Sequence, residues 1–159
     1  MKMQQAMRRI LKLVSFTIVL TILICICGCG KKEEKSEFTD FAHIEEEFLE
    51  TVENLNWPEG TVLPTSLEGE NADVFQIGYG ETRASILWEI AWQKEWLNSY
   101  MSDPERAEKA LKELEKAPSM NYMSGERCDD ATRRYFNNNL EKARLGDPSG
   151  FEESVRASY

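Results

Sequence analysis

Several places along this 159-residue chain bring together side chains able to do chemistry. The first is Glu89, which stands among Trp88, Trp92, Trp96 and Tyr100. Those four aromatics follow one another at i, i+4, so on a helix they form one ridge that drifts about 40° per step. A carboxyl held among aromatic rings loses water, and that loss raises its pKa toward the range a general acid needs. The same position admits a structural role, an internal ion pair with Arg83, Arg133 or Arg134, or a carboxylate that snorkels to water at a helix edge. The ridge has two readings of its own: buried scaffold, or a face on which a sugar or peptide stacks. Solvent access to Trp88, Trp92 and Trp96 separates them.

Three weaker constellations accompany it. Asp40, His43 and Glu47, at i, i+3 and i+7, share a helical face that a metal could use, but carboxylate-rich helical metal sites draw ligands from two helices and the chain has a single His. A solvated acidic face is the simpler reading. Gly78-Tyr79-Gly80 runs straight into a helical pattern near Arg83, so free amides there could take an anion, or the two glycines merely turn the chain into the helix. Cys128 lies near an expected helix start, where a dipole can activate a thiol. With one outward-facing His, a Cys-His pair is not expected, and Cys128 reads as a small core residue.

These residues need a scaffold, and hydrophobic periodicity supplies one. Phe41, Ile44, Phe48, Val52 and Leu55 make a stripe in a helix over residues 40–55, capped by Thr39, with His43 turned outward among Asp40, Glu46, Glu47 and Glu50. Residues 56–80 carry Trp57-Pro58, Leu63-Pro64 and several glycines, so they form an irregular excursion with strand character only at Val74-Phe75-Gln76-Ile77. A second helix over 82–101 carries the ridge on one side and Ile86, Ile90, Leu97 and Met101 on another. A helix apolar nearly all round is central, packed on more than one face. Ser102-Asp103-Pro104 opens a third helix with Ala107, Ala110, Leu111 and Leu114 inward, ended by Pro118. A fourth runs over 125–145 with Cys128, Ala131, Tyr135, Phe136, Leu140 and Ala143 inward and Gly146 as its stop. Asp147-Pro148 starts a short last helix docked by Phe151 and Val155. The expected fold is mainly α: four to five helices around the Trp-rich one.

Ahead of all this stand Lys2, Arg8, Arg9 and Lys12, with no acidic residue before or among them, then an uncharged run over 13–27. A basic stretch followed by an apolar one is the layout of a secretory signal. Residues 13–30 would make a helix of roughly 27 Å, which barely spans a bilayer. The segment closes on Ile26-Cys27-Gly28-Cys29, which resembles the lipobox of bacterial lipoproteins: an aliphatic residue, then a small one just before an obligatory cysteine. Ile26 and Cys27 depart from the commonest residues at their positions. The resemblance covers about the first thirty residues. It implies cleavage between Gly28 and Cys29, a diacylglycerol on the Cys29 sulfur and further acylation there, holding the chain on the extracytoplasmic side of a cell membrane. An uncleaved membrane helix and an ordinary cleaved signal are the alternatives. Two acyl chains at about 0.8 kcal/mol per buried methylene hold a protein stably on a bilayer.

The expected organisation is therefore a signal over 1–28, a charged tether over 29–38 and a helical domain over 39–159. Cleavage leaves 159 − 28 = 131 residues, and 19 − 4 = 15 Lys and Arg against 28 Asp and Glu, a formal charge of −13. That acidity argues against nucleic acid and anionic lipid as partners of the domain. Cys128 becomes the one thiol left after the lipidated Cys29, so the fold rests on its core rather than on a disulfide. No Walker loop, nucleophile elbow, zinc helix or paired-cysteine motif is present, and nothing calls for a cofactor. The reading is a membrane-anchored interaction or ligand-binding module, with Trp88, Glu89, Trp92, Trp96 and Tyr100 as candidate contacts and an envelope protein or small ligand as partner. The competing expectations are an envelope enzyme that uses Glu89 with a residue from 56–80, and a spacer or immunity-type lipoprotein.

Overall fold

The computed structural model describes residues 37–70 and 72–158; the leader, the Gly28-Cys29 junction and nearly all of the tether lie outside the described residues. The domain is mainly helical, with five α-helices and one two-stranded sheet among those residues. The sheet is minimal. β1 (Phe38–Thr39) runs antiparallel to β2 (Phe75–Gln76), pairing Phe38 with Gln76 and Thr39 with Phe75.

Because Thr39 is committed to that pairing, the cap of α1 (Phe41–Asn54) is Asp40 rather than Thr39: its Oδ1 accepts from the His43 amide at 3.1 Å. Ile44, Phe48 and Val52 are buried as the stripe requires. Phe41, at the stripe's end, is part exposed and packs edge-on against Phe75, ring centroids 6.2 Å apart. The helix stops where Leu55 turns extended, and the Trp57 indole reaches back to the Val52 carbonyl at 2.8 Å, satisfying one orphan acceptor of the last turn. The described residues of 56–74 hold no helix or strand, and Leu67 tucks into the cluster made by Ile44, Phe48, Val52, Phe75 and Ala84.

The Trp-rich helix α2 (Tyr79–Ser99) begins three residues before its expected start. Gly78 makes this possible, with φ at +83°, a left-handed conformation that costs any residue with a Cβ. Gly80 answers a different need. A Cβ there would lie 1.9 Å from the Ile44 carbonyl oxygen, so α1 and α2 approach at a distance only glycine permits.

The rest of the chain covers the other side of α2. α3 (Pro104–Leu114) starts on Asp103, whose Oδ1 accepts from the Arg106 amide at 3.1 Å, and buries Ala107, Ala110 and Leu114. Two single 3-10 turns follow, Ala117–Ser119 and Asn121–Met123, the second burying Tyr122 and Met123. α4 (Asp130–Arg144) starts later than its periodicity suggests. The amides of Arg127 and Cys128 both donate to the Ser124 carbonyl, a turn that delays the helix until Asp129 caps it through the Thr132 amide at 2.7 Å. Its inward face is Phe136, Asn139, Leu140 and Ala143. Ala131 and Tyr135, expected inward, are exposed, since each lies 100° or more around the helix from Phe136. Gly146 ends α4 as expected, with its amide on the Ala143 carbonyl and that of Asp147 on the Lys142 carbonyl. The last helix, α5 (Ser149–Ala157), docks through Phe151, which is fully buried and edge-on to Trp96 at 5.4 Å.

Candidate functional site

The aromatic ridge is interior. Trp88, Trp92 and Trp96 are 1%, 1% and 2% exposed, which removes them as a ligand face. Their polar atoms are committed as well. The indole N–H groups of Trp88 and Trp92 both donate to the Asn56 carbonyl, at 2.7 and 3.0 Å. Trp96 stacks on the half-buried Tyr100 with centroids 4.6 Å apart, so Tyr100 too belongs to the packing. A row of indoles this large has to be covered by α3, α4 and α5 together, because leaving it wet would forfeit about 1.5–3 kcal/mol per ring.

Glu89 has a different environment. It lines a cavity of about 440 Å³ between α2, α4 and α5, walled by Ile86 and Ile90 from α2, Met123 from the second 3-10 turn, and Tyr135 and Phe136 from α4. Ile86 and Tyr135 are 38% and 42% exposed, so the apolar surplus of α2 that no helix covers forms one wall of this cavity. Volume, apolar lining and a small number of polar groups are the usual make-up of a small-molecule site.

The carboxyl is held from two sides. The Tyr122 hydroxyl donates to Oε2 at 2.7 Å and the Gln93 amide to Oε1 at 2.8 Å. Burial pushes the Glu89 pKa above the ordinary carboxylate value, while those two hydrogen bonds oppose the rise. Burial, followed by the neighbouring Glu89 charge, drives the Tyr122 hydroxyl well above its ordinary value, so it stays a donor. Gln93 is itself buried, and among the described residues its Oε1 has no hydrogen-bond partner. Rotating that amide by half a turn would let Oε1 accept a hydrogen bond from the carboxyl O–H of a neutral Glu89. The site therefore accommodates both protonation states: two donors for the carboxylate, or one acceptor for the acid.

The ion-pair reading of Glu89 is not realised by the arginines named for it: Arg83 pairs with Glu70 at 3.5 Å, Arg133 with Asp130, and Arg134 is exposed with no ion pair to Glu89 among the described residues. The enzyme reading requires a partner in the excursion over 56–80, and none of the described residues there lines the Glu89 cavity. Asn56 instead lies beneath the indoles.

The amides at Gly78 and Gly80 are not free for an anion. Glu47 fills that place from within: its carboxylate takes the Gly78 N–H at 2.8 and 2.9 Å and the Gly80 N–H at 3.3 Å. Glu47 thus turns away from the solvated face where the helical wheel put it and caps the neighbouring helix. This undoes the metal reading too, because Asp40 is spent on the His43 amide and Glu47 on α2, leaving the His43 imidazole 3.6 Å from a carboxylate already in use.

Cys128 lies before α4 rather than on it, half-buried, with its thiol 3.7 Å from the Met123 sulfur. Burial raises its pKa, the largest influence, against the lowering effect of Arg133. It is a poor nucleophile and part of the cavity wall.

Sequence reasoning missed Tyr122, Met123 and the capping role of Glu47. An apolar Tyr-Met pair between Pro118 and Gly125, with no helical period of its own, was the available sign that this connection turns inward. Comparison of the chain with protein-family models, with curated proteins and with solved structures finds no match in any of the three.

Proposed function

We propose that this chain is a lipid-anchored lipoprotein of the extracytoplasmic membrane surface whose helical domain takes up a small ligand in the Glu89 cavity. The anchor reading rests on the resemblance of Ile26-Cys27-Gly28-Cys29 to a lipobox behind a basic and apolar leader. The single observation that carries the binding role is the cavity itself: an apolar wall left open on the central helix, with one carboxyl inside it held by two neutral donors. A passive spacer has no use for either feature, and burying an acid without a cation costs stability.

One experiment addresses both parts. A photo-crosslinking residue is placed at Ala157, on the rim of the cavity, and in a second variant at Glu105, an exposed residue of α3. Each is expressed in cells supplied with labelled palmitate, alone and with Cys29→Ser. The expected result is a palmitate-labelled protein that captures a small molecule from position 157 and not from 105, with the label lost in Cys29→Ser. Label retained by Cys29→Ser refutes the anchor; identical crosslinking patterns from both positions refute the site.

A further inference from the structure

We infer that the ligand of the Glu89 cavity is a monocationic amine with a compact apolar body, bound as an ammonium ion against the Glu89 carboxylate. This rests on the cavity's being a binding site, as proposed above, and adds the ligand's chemistry.

The walls and polar groups of the cavity set the chemistry of its ligand. Its apolar wall asks for a hydrocarbon or aromatic body, and about 440 Å³ suits a small one. Its polar groups have a sign. Glu89 and Asp129 are acidic; the one cationic group among the described residues of the lining, Arg127, already donates from its guanidinium to the Ile77 carbonyl at 2.9 Å. A carboxylate or phosphate ligand would therefore meet two acids and an engaged arginine. The two hydrogen-bond partners of Glu89, Tyr122 and Gln93, are neutral, and each supplies a donor, which is the arrangement a carboxylate needs. Each carboxylate oxygen still has acceptor capacity after those bonds. Among the described residues no ion pair neutralises that carboxylate, and an ammonium group provides both charge and donors.

The pairing has a proton balance. When the ligand-free carboxyl is protonated, binding joins R–NH₃⁺ to Glu89–COOH and releases the carboxyl proton to the buffer, leaving an ammonium-carboxylate pair. Tyr122 from the 3-10 turn, Arg127, Cys128 and Asp129 from the following loop, and Tyr135 from α4 are the other titratable or charged groups around this cavity; α5 brings none to it. Tyr122 and Cys128 are held neutral by burial, and hydrogen bonds from Thr132 keep Asp129 ionised, so the proton released is that of Glu89.

The test uses the full chain in detergent and three matched probes: 2-phenylethylamine, 2-phenylethanol and 3-phenylpropionate. Calorimetric titration in buffers of different ionisation enthalpy reads affinity and proton release together. The expected result is that the amine binds at least about tenfold more tightly than the alcohol, that the carboxylate does not bind, and that amine binding releases a proton just above pH 4.5, the ordinary value for this carboxyl, with the release fading as pH rises. Glu89→Gln should bring amine and alcohol to similar affinity. Alcohol or carboxylate binding as tightly as the amine, or an amine preference that survives Glu89→Gln, overturns the amine assignment. If Glu89→Gln does not fold, the buffer dependence in the unaltered chain still decides: no proton release overturns it. Filling the cavity with Ala157→Trp separates the two levels. Probe binding that Ala157→Trp abolishes without any preference for the amine leaves the site standing and removes the ligand class, whereas no binding by any probe, or binding that Ala157→Trp leaves unchanged, removes both.

Discussion

Replacing Glu47 by Ala should cost this domain about 3 kcal/mol, far more than the neighbouring Glu46→Ala. The Glu47 carboxylate is the N-terminal cap of a helix to which it does not belong: it accepts from the Gly78 and Gly80 amides and its side chain is 17% exposed. A hydrogen bond to a charged group contributes about 1.5–3 kcal/mol net. The 2.8 Å contact to Gly78 falls in that range, and the 3.3 Å contact to Gly80 is weaker. The favourable charge at a helix N-terminus adds roughly 0.3–1 kcal/mol, while the better helix propensity of Ala in α1 returns a few tenths, at most about 0.5 kcal/mol. The sum is near 3 kcal/mol, which for a domain of this size lowers Tm by about 10 °C. Glu46 is exposed, so Glu46→Ala should stay within about 0.5 kcal/mol. The assay is urea and thermal denaturation of the full chain in detergent, followed by far-UV circular dichroism. A second measurement isolates the cause. Once Glu47→Ala empties the amides, millimolar sulfate should raise the variant's Tm and leave the unaltered chain's nearly constant, since an anion that binds only the folded variant stabilises it by mass action. Equal stability of the Glu47 and Glu46 variants would refute the cross-helix cap. So would sulfate stabilising both proteins alike.

Gly80→Ala should destabilise by about 3 kcal/mol or abolish folding, because the added Cβ meets the Ile44 carbonyl at 1.9 Å and neither helix backbone can yield without separating α1 from α2; a urea midpoint unchanged from the parent's would contradict the close approach. For Glu89 the folded pKa lies above the unfolded one, so the folded state holds the proton longer: its favourable contribution is complete below the unfolded value near 4.5 and is lost as pH rises through the folded value. Glu89→Gln should therefore flatten stability against pH in that window, gaining on the parent as pH rises, as read from denaturation midpoints at stepped pH. Finally, acrylamide should quench the fluorescence of Trp57, which is part exposed, ahead of the buried Trp88, Trp92 and Trp96. Single-tryptophan variants that quench equally at positions 57 and 92 would place the ridge at the surface.

The helical class, the order of the helices and most of their inward faces were readable in the residues, since those properties are local. The four-residue spacing of Ile44, Phe48 and Val52, the Asp103-Pro104 start and the Gly146 stop each need only a few neighbouring positions to act. The same reasoning failed at the ends that depend on distant partners. Thr39 lost the cap to Asp40 because β2 claims it from thirty-six residues away, and α4 was delayed by a turn on Ser124 that no periodicity announces.

The site divides along the same line. That Glu89 is an acid set among tryptophans, with an apolar seam of Ile86 and Ile90 beside it, is written in the order of residues along one helix. Which side of that helix stays open, and what meets the carboxyl there, was settled only when Tyr122 arrived thirty-three positions later and α4 and α5 closed over the indoles while leaving the seam uncovered. A helical wheel gives angles, not neighbours. It put Glu47 in water and left the amides of Gly78 and Gly80 available, and the packing of α1 against α2 joined the two, because a buried pair of N–H groups takes the nearest carboxylate within reach.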